Sequence, residues 1–539
     1  MRKIINESNN NIWITSIIVI ASSYLFLANQ VQAAGSGGLW KMAGQSIENT
    51  HHQKAEHKIS PANVGNLELQ WVVTTGGDVS ATPAVEGGFI YFPDWAGNLF
   101  KVDSKTGAVV WQRSISEYTN PALPGNFSRT TPAIHGDLLI LGDQAGRQFA
   151  GANVMAVNKN TGDLVWINHL GAHPAAIITQ SATVHGNTVY IGVASLEEAF
   201  VAFIPGYQLS FRGSMAALDA NTGVVRWQKY TTPVGFTGNA IWGSAPAVDT
   251  KRGQVYVATG NNYSAPQEFL DCATAAGSDS AAQQACLAPY PDNYFDSVLA
   301  LDLVTGAINW SNTVIPFDVW TVECLFGLPT CPSPTGPDFD FGQAPMLYTA
   351  AIEVNGNGKG RTRDLVGVGQ KSGVFWSFDP DTGDVVWSTQ VSPGGIAGGL
   401  QWGSAFDGNL IYTSSANSEY MPWTLPDSTS TNAGIWSALN PATGEIVWQT
   451  ANPAGNFNAG GPVSVANGVV YACSQDPHGH MFALDAASGA IAWDFESGGS
   501  CNGGAAIVNG NVYWGSGYTS IGGPFNTTNT KFYGFKLPK

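Results

Sequence analysis

From Leu67 onward, apolar and polar residues alternate in short runs, and each run stops at a cluster of Gly, Asn, Asp or Pro. A period of two is the signature of a half-buried strand, and those stops mark turns. LELQWVV (Leu67–Val73), ATPAVEGGFIYFPD, SATVHGNTVYIGV and GPVSVANGVVYACS all follow this pattern. One turn recurs as Asp-x-x-Thr-Gly-x-x-x-Trp. Its copies run Asp103 to Trp111, Asn158 to Trp166, Asp219 to Trp227, Asp302 to Trp310, Asp379 to Trp387, Asn440 to Trp448 and Asp485 to Trp493. An apolar strand enters the Asp or Asn, whose side chain bonds the backbone two residues on and starts a turn. Gly supplies the positive φ, and an alternating strand then runs out to Trp. Each copy predicts a β-hairpin with a docking tryptophan.

Most copies have a second strand pair upstream, giving about four strands per repeat. Such sheets bury their faces only by stacking around an axis, so the repeat predicts an all-β propeller. Seven motifs do not limit the ring to seven blades. Leu67–Trp71 is a strand ending in Trp without a motif ahead of it, and Lys531–Leu537 (KFYGFKL) is a strand without a Trp after it. Pairing the two completes an eighth blade from both ends of the chain and removes open edges. The expected fold is an eight-bladed β-propeller of four-stranded antiparallel sheets, one domain over residues 34–539.

Composition agrees with a turn-rich repeat: 64 Gly, 18 Trp and only 12% charged residues in a chain of 539. A formal net charge of −16 argues against nucleic-acid binding and is compatible with a hard cation held by oxygen ligands or simply with solubility. Arg2 and Lys3, an apolar run to Ala28 and Val31-Gln32-Ala33 read as a secretory signal over residues 1–33, with an uncleaved anchor as the alternative. No other stretch is long and apolar enough to span a bilayer. Six cysteines in an exported chain suggest disulfides, by proximity Cys272–Cys286, Cys324–Cys331 and Cys473–Cys501. No Cys-x-x-Cys-His is present for a covalent haem, and no Cys/His spacing suggests zinc. The leader Gly35–Asn66, with His51, His52 and His57, reads as a polar solvated loop. Asn355–Asp364 reads as a hydrophilic hairpin turn and only weakly as a calcium loop.

The repeat spacing stretches to 83 residues between Trp227 and Trp310 and 77 between Trp310 and Trp387. The extra length lies in Gln267–Pro291 and Phe317–Phe341, and long neighbouring loops tend to line a site. Trp242 to Asp302 gathers an aromatic surface, the amides Asn261 and Asn262, and the acids Asp292 and Asp296.

Over about Trp40 to Leu537 the chain resembles the quinoprotein alcohol dehydrogenases, nearer their polyvinyl-alcohol-dehydrogenase-like branch than the methanol dehydrogenases. Non-catalytic scaffold propellers of the outer-membrane assembly machinery carry similar repeats, so the motifs between the repeats give the resemblance its specificity. It implies pyrroloquinoline quinone (PQQ) and Ca2+ as cofactors. Trp242 in IWGSAPAVD, ahead of Thr259-Gly260-Asn261, matches the tryptophan under the quinone, and Asn261 matches a calcium ligand. Asp292-Asn293 matches the catalytic aspartate pair, with Asp296 as the alternative base. VASLEEAF…SFRGSMAALD offers Glu197 or Glu198 as a further calcium ligand. Lys371 in GQKSGVFWSFDPDTG and Arg129 in SRTTPAI match quinone contacts; Thr179 and Gln401-Trp402 are weaker matches.

The residue types suit that chemistry. A flat quinone needs an aromatic floor, a hard cation needs Glu and Asn oxygens, and a carboxylate serves as general base. The chain departs from the family in having no adjacent cysteine pair; Tyr207–Phe211 lies where the branch places one. Tyr294 stands two residues after Asp292, where lanthanide-dependent relatives carry a further Asp, which favours calcium. The expected activity is periplasmic oxidation of secondary or polymeric alcohols, with electrons leaving to a separate acceptor such as a cytochrome c. The alternatives are a PQQ binder without turnover and a protein-binding scaffold.

Overall fold

The computed structural model describes residues 38–144, 152–171, 173–352, 361–519 and 526–538. The expected signal segment and most of the Asn355–Asp364 turn lie outside the described residues. Eight antiparallel sheets form the blades of a propeller. Blade 1 spans residues 84–114, blade 2 133–169, blade 3 183–230, blade 4 247–313, blade 5 346–390, blade 6 405–451 and blade 7 464–496. Blade 8 takes its inner three strands from Ala506–Val508, Asn511–Gly515 and Lys531–Lys536 and its outer strand from Glu68–Thr74. Glu68 pairs with Lys536 and Thr74 with Lys531, so both ends of the chain close the ring as the repeat count predicted.

The repeat chemistry explains how blades join. Asp103 Oδ1 accepts the amides of Lys105 and Thr106, which forms the turn. Each outer-strand Trp donates its indole N–H to a carbonyl in the next blade's turn: Trp111 to Lys159 at 3.2 Å, Trp166 to Ala220 at 3.0 Å, Trp227 to Leu303 at 3.2 Å and Trp310 to Pro380 at 2.9 Å. Trp387 reaches Pro441 and Trp448 reaches Ala486; Trp493 and Trp71 carry the same bond across the seam, to Leu67 and Ser104. The motif glycine does more than turn the chain. Gly223 has φ +71°, and a Cβ there would sit 2.4 Å from the Trp166 ring. The glycine therefore supplies both the left-handed turn and the space the neighbouring indole occupies.

The leader is not a solvated loop. It runs as a strap around the innermost strands. Trp40 exchanges two backbone bonds with Val85 of blade 1, and Lys41 accepts from Ile134 of blade 2. Ile47, Glu48, Thr50 and His51 accept from Val248, Leu347, Phe406 and Val465 of blades 4 to 7, and the Gln53 amide donates to Ile507 of blade 8. Inner edge strands present backbone groups that need partners, and the strap supplies them. Trp40 and His51 are buried accordingly, His52 is half-buried, and only His57 of the three histidines is exposed. Burial pushes His51 down to about 4, and neither of its ring nitrogens is bonded among the described residues.

The two long insertions are largely ordered. Gln267–Ala276 and Ser280–Leu287 are helices stapled by Cys272–Cys286, and Asp279 caps the second through the amides of Ala281 and Ala282. Cys324–Cys331 closes the loop that carries a 3-10 turn, Val322–Phe326. Cys473–Cys501 ties blade 7 to the loop entering blade 8. Among the described residues no helix is long and apolar enough to cross a membrane.

Candidate active site

Arg129, Thr179, Trp242, Trp402 and Asn458 precede the inner strands of blades 2, 3, 4, 6 and 7, so their loops converge on the ring axis. Together they line one cavity of about 310 Å³, with Glu198, Asp340, Lys371 and Gln401. All five expected quinone contacts therefore border the same space. A smaller cavity of about 60 Å³ shares Arg129, Thr179 and Trp402 and extends to His51 of the strap.

Trp242 is held on several sides. Its indole N–H donates to Asp340 Oδ2 at 3.0 Å, and its carbonyl accepts from Thr179 Oγ1 at 2.9 Å. The Lys371 ammonium lies 5.5 Å from its ring centre, and Trp402 meets it edge-on at 5.4 Å. Gly342 leaves the room: a Cβ there would lie 2.8 Å from the Trp242 ring. The Arg129 guanidinium sits 4.9 Å over Trp402, buried, with Nε and Nη1 unpartnered among the described residues. Its hydrogen-bonding neighbour, the Tyr518 hydroxyl, is a neutral phenol, so the guanidinium still favours an anion.

Asp340 is the residue that the sequence did not single out. Its Oδ1 accepts the Asn261 amide at 2.7 Å, and its Oδ2 takes Trp242 and lies 3.3 Å from Lys371 Nζ. One carboxylate thus ties together three expected site residues. Asp338 holds the same ammonium at 2.9 Å. Burial alone would lower the Lys371 pKa, but the Asp338 and Asp340 carboxylates raise it, so the ammonium stays charged.

The adjacent glutamates face different ways. Glu197 is fully buried and committed to structure: Oε1 accepts the Ser210 amide at 2.7 Å and faces His173 at 3.1 Å, and Oε2 accepts the Phe211 amide at 2.7 Å. Glu198 lines the cavity, and its Oε1 has no partner among the described residues. Burial raises its carboxyl to about 8, helped by the Asp340 charge and opposed by Lys371. Asn261 donates its side-chain nitrogen to Trp320 and Asn262 carbonyls, which leaves Oδ1 for a ligand. Among the described residues no three His, Cys, Asp or Glu side chains converge on a point.

The acid pair divides likewise. Asp292 is exposed, accepts the Tyr294 hydroxyl at 3.0 Å and does not border the cavity. Asp296 is buried at φ +41°, with its carboxyl facing that of Asp318. Burial, then the charges of Asp318 and Asp340, pushes its carboxyl well above the ordinary range.

A family model described as outer membrane protein assembly factor BamB matches residues 63–312 and 370–523. A polyvinylalcohol dehydrogenase of a Pseudomonas species is 28% identical over 519 residues, covering 89% of this chain and 73% of the relative. Another, from Sphingopyxis sp. (strain 113P3), is 29% identical, covering 86% of this chain and 68% of the relative. The chain belongs to the quinoprotein alcohol dehydrogenase family, in its polyvinyl-alcohol-dehydrogenase-like branch. The propeller of this quinoprotein dehydrogenase also matches the solved quinohemoprotein alcohol dehydrogenase of Comamonas testosteroni, with a TM-score of 0.67 at 19% identity, covering 93% of this chain and 80% of the other. Asp318, Asp338 and Asp340 of the quinoprotein fall in the segment the family model leaves unmatched.

Proposed function

We propose that the enzyme is a periplasmic dehydrogenase of secondary or polymeric alcohols that works with PQQ and Ca2+ and passes electrons to a separate acceptor, a cytochrome c. The observation that carries this reading is one cavity in which an aromatic floor, a guanidinium with two unpartnered nitrogens and a carboxylate with an unpartnered oxygen, among the described residues, meet. Those groups fit a flat, carboxylate-bearing quinone with a hard cation beside it. Trp242 would support the ring, Arg129 and Thr179 would anchor it, and Glu198 and Asn261 would give oxygens to the cation. When bound, PQQ supplies the two-electron acceptor that the polypeptide lacks.

The chain's own part is positioning and proton handling. Lys371, kept charged by Asp338 and Asp340, presents a fixed positive charge above Trp242. Among the described residues two carboxylates border the cavity, Glu198 and Asp340. With Glu198 given to the cation, Asp340 is left to take the alcohol proton, while Asp292 faces solvent. The apolar side chains of Leu196, Ala199, Val322 and Ile396 shield this polar floor from water. Three disulfides suit an oxidising compartment.

The test is to add PQQ and Ca2+ to the purified cofactor-free protein and follow dye reduction with secondary alcohols. Uptake of PQQ with alcohol-dependent reduction is the expected result. Absence of uptake would sink the reading, and uptake without turnover would leave a PQQ-binding protein.

A further inference from the structure

The short helix Glu197–Phe203 and the 3-10 turn Val322–Phe326 pack against each other beside the cavity. Their inner residues, Ala199 and Val322, line it. Their outer ends do not turn back into the core. Phe203 is 64% exposed, Ile204 44%, Leu325 54% and Phe326 58%, and the rings of Phe203 and Phe326 meet edge-on at 5.7 Å. Isolated surface apolar residues need no explanation, but four clustered on the two elements that also line a cavity do.

The surroundings sharpen the point. On a chain of net charge −16, Ala199–Phe211 and Cys324–Pro337 carry no charged residue. Both segments are also fastened. Glu197 grips the amides of Ser210 and Phe211, and Cys324–Cys331 closes the second loop. A fixed, uncharged, aromatic rim loses little conformational freedom on binding.

We propose that Phe203, Ile204, Leu325 and Phe326 form a collar that grips the hydrocarbon chain of the alcohol substrate outside the cavity, so that the enzyme selects neutral alcohols with extended carbon chains over small ones. This rests on the reading of the cavity as an alcohol dehydrogenase site. The chain's hydroxyl-bearing carbon enters beside Trp242, and the remainder runs out between Ala199 and Val322 onto the two phenylalanines. Each methylene that reaches apolar cover is worth about fourfold in binding, from the transfer free energy of a buried CH2.

The experiment compares 2-butanol with 2-decanol in the PQQ- and Ca2+-loaded enzyme and, by calorimetry, the binding of 2-decanol to the cofactor-free protein. The collar predicts kcat/KM rising steeply with chain length. In Phe203→Ser and Phe326→Ser the 2-decanol to 2-butanol ratio falls about tenfold, and calorimetric binding of 2-decanol weakens in parallel. Phe203→Leu restores most of both, which separates apolar cover from damage to the helix. A ratio that does not depend on chain length, or that the serine variants leave intact, overturns the collar while the dehydrogenase reading stands. Loss of all turnover with 2-decanol binding retained, and still sensitive to Phe203→Ser, sinks the dehydrogenase reading and keeps the collar. Serine variants that slow reduction of a protein acceptor but not of a soluble dye, with chain-length dependence unchanged, assign the patch to acceptor docking and overturn the inference.

Discussion

Acid should loosen the strap through His51. The ring is buried against Gly403, where a Cβ would stand 2.8 Å from its Cε1, and its burial lowers the pKa from 6.5 to about 4. The unfolded chain therefore takes up this proton before the folded one does. The neutral ring's contribution is complete above pH 6.5, is lost as pH falls from there toward 4, and changes no further below that. Linkage between these two values costs about 0.8 kcal/mol at pH 6 and about 2 kcal/mol at pH 5, relative to pH 8. Other groups move oppositely: burial raises Asp143 to about 6 and Asp318 to about 7, so their carboxyls favour the folded state as pH falls. The diagnostic quantity is therefore the difference between wild type and His51→Gln, which keeps a polar side chain but cannot titrate. Urea unfolding followed by tryptophan fluorescence at pH 8, 6 and 5 gives it directly. The wild type should lose about 2 kcal/mol more than the variant between pH 8 and pH 5. Parallel pH profiles would refute the assignment of a buried neutral ring to His51.

Three further outcomes follow from the site and its frame. Glu198→Gln should weaken Ca2+-dependent PQQ retention by about a hundredfold or more, measured by equilibrium dialysis. Glu197→Gln should instead lower the urea midpoint through two weakened charge-assisted backbone bonds, about 2–4 kcal/mol. Asp340→Asn should cut kcat by about 10² to 10⁴, the usual range for a proton-transfer group, while Asp292→Asn stays near wild type; the reverse pattern would return the base to Asp292. Replacing Cys473 and Cys501 by serine opens a loop with sequence separation 28 and should cost about 3.5 kcal/mol in denaturant unfolding.

The blades were legible because everything that builds them is local. An Asp or Asn side chain, a left-handed Gly and a Trp eight positions along repeat the same chemistry seven times, and two leftover strands announce the closure. The strap was not legible. Most of its bonds run from its own backbone to the backbone of blades far along the chain, and backbone partners leave no mark on side-chain identity. His51 looked like a loop histidine for that reason. At the site, Trp242, Lys371 and Arg129 stand beside repeats and could be found by their neighbours. Asp338 and Asp340 belong to the insertion after blade 4, where only the alternation Asp-Phe-Asp-Phe after the uncharged run Cys324–Pro337 hinted that two acids share an inward face. Glu197 and Glu198 are neighbours on a helix and so point about 100° apart, and no sequence argument tells which points inward.

The seam in blade 8 has a consequence for the order of assembly. The strand Glu68–Thr74 is among the first parts of the propeller to be synthesised, yet its partner Lys531–Lys536 is nearly the last. Every other blade completes itself from contiguous chain. Blade 8 waits until all the other blades have been made and must then bring residues from opposite ends of the propeller together, against a loop-closure entropy that grows with the logarithm of length. The first strand made is thus the last one seated, and the seam acts as a non-covalent latch. Opening the chain between two other blades, while linking residue 67 to residue 537, would turn blade 8 into an ordinary contiguous unit and move the slow closing step elsewhere in the ring.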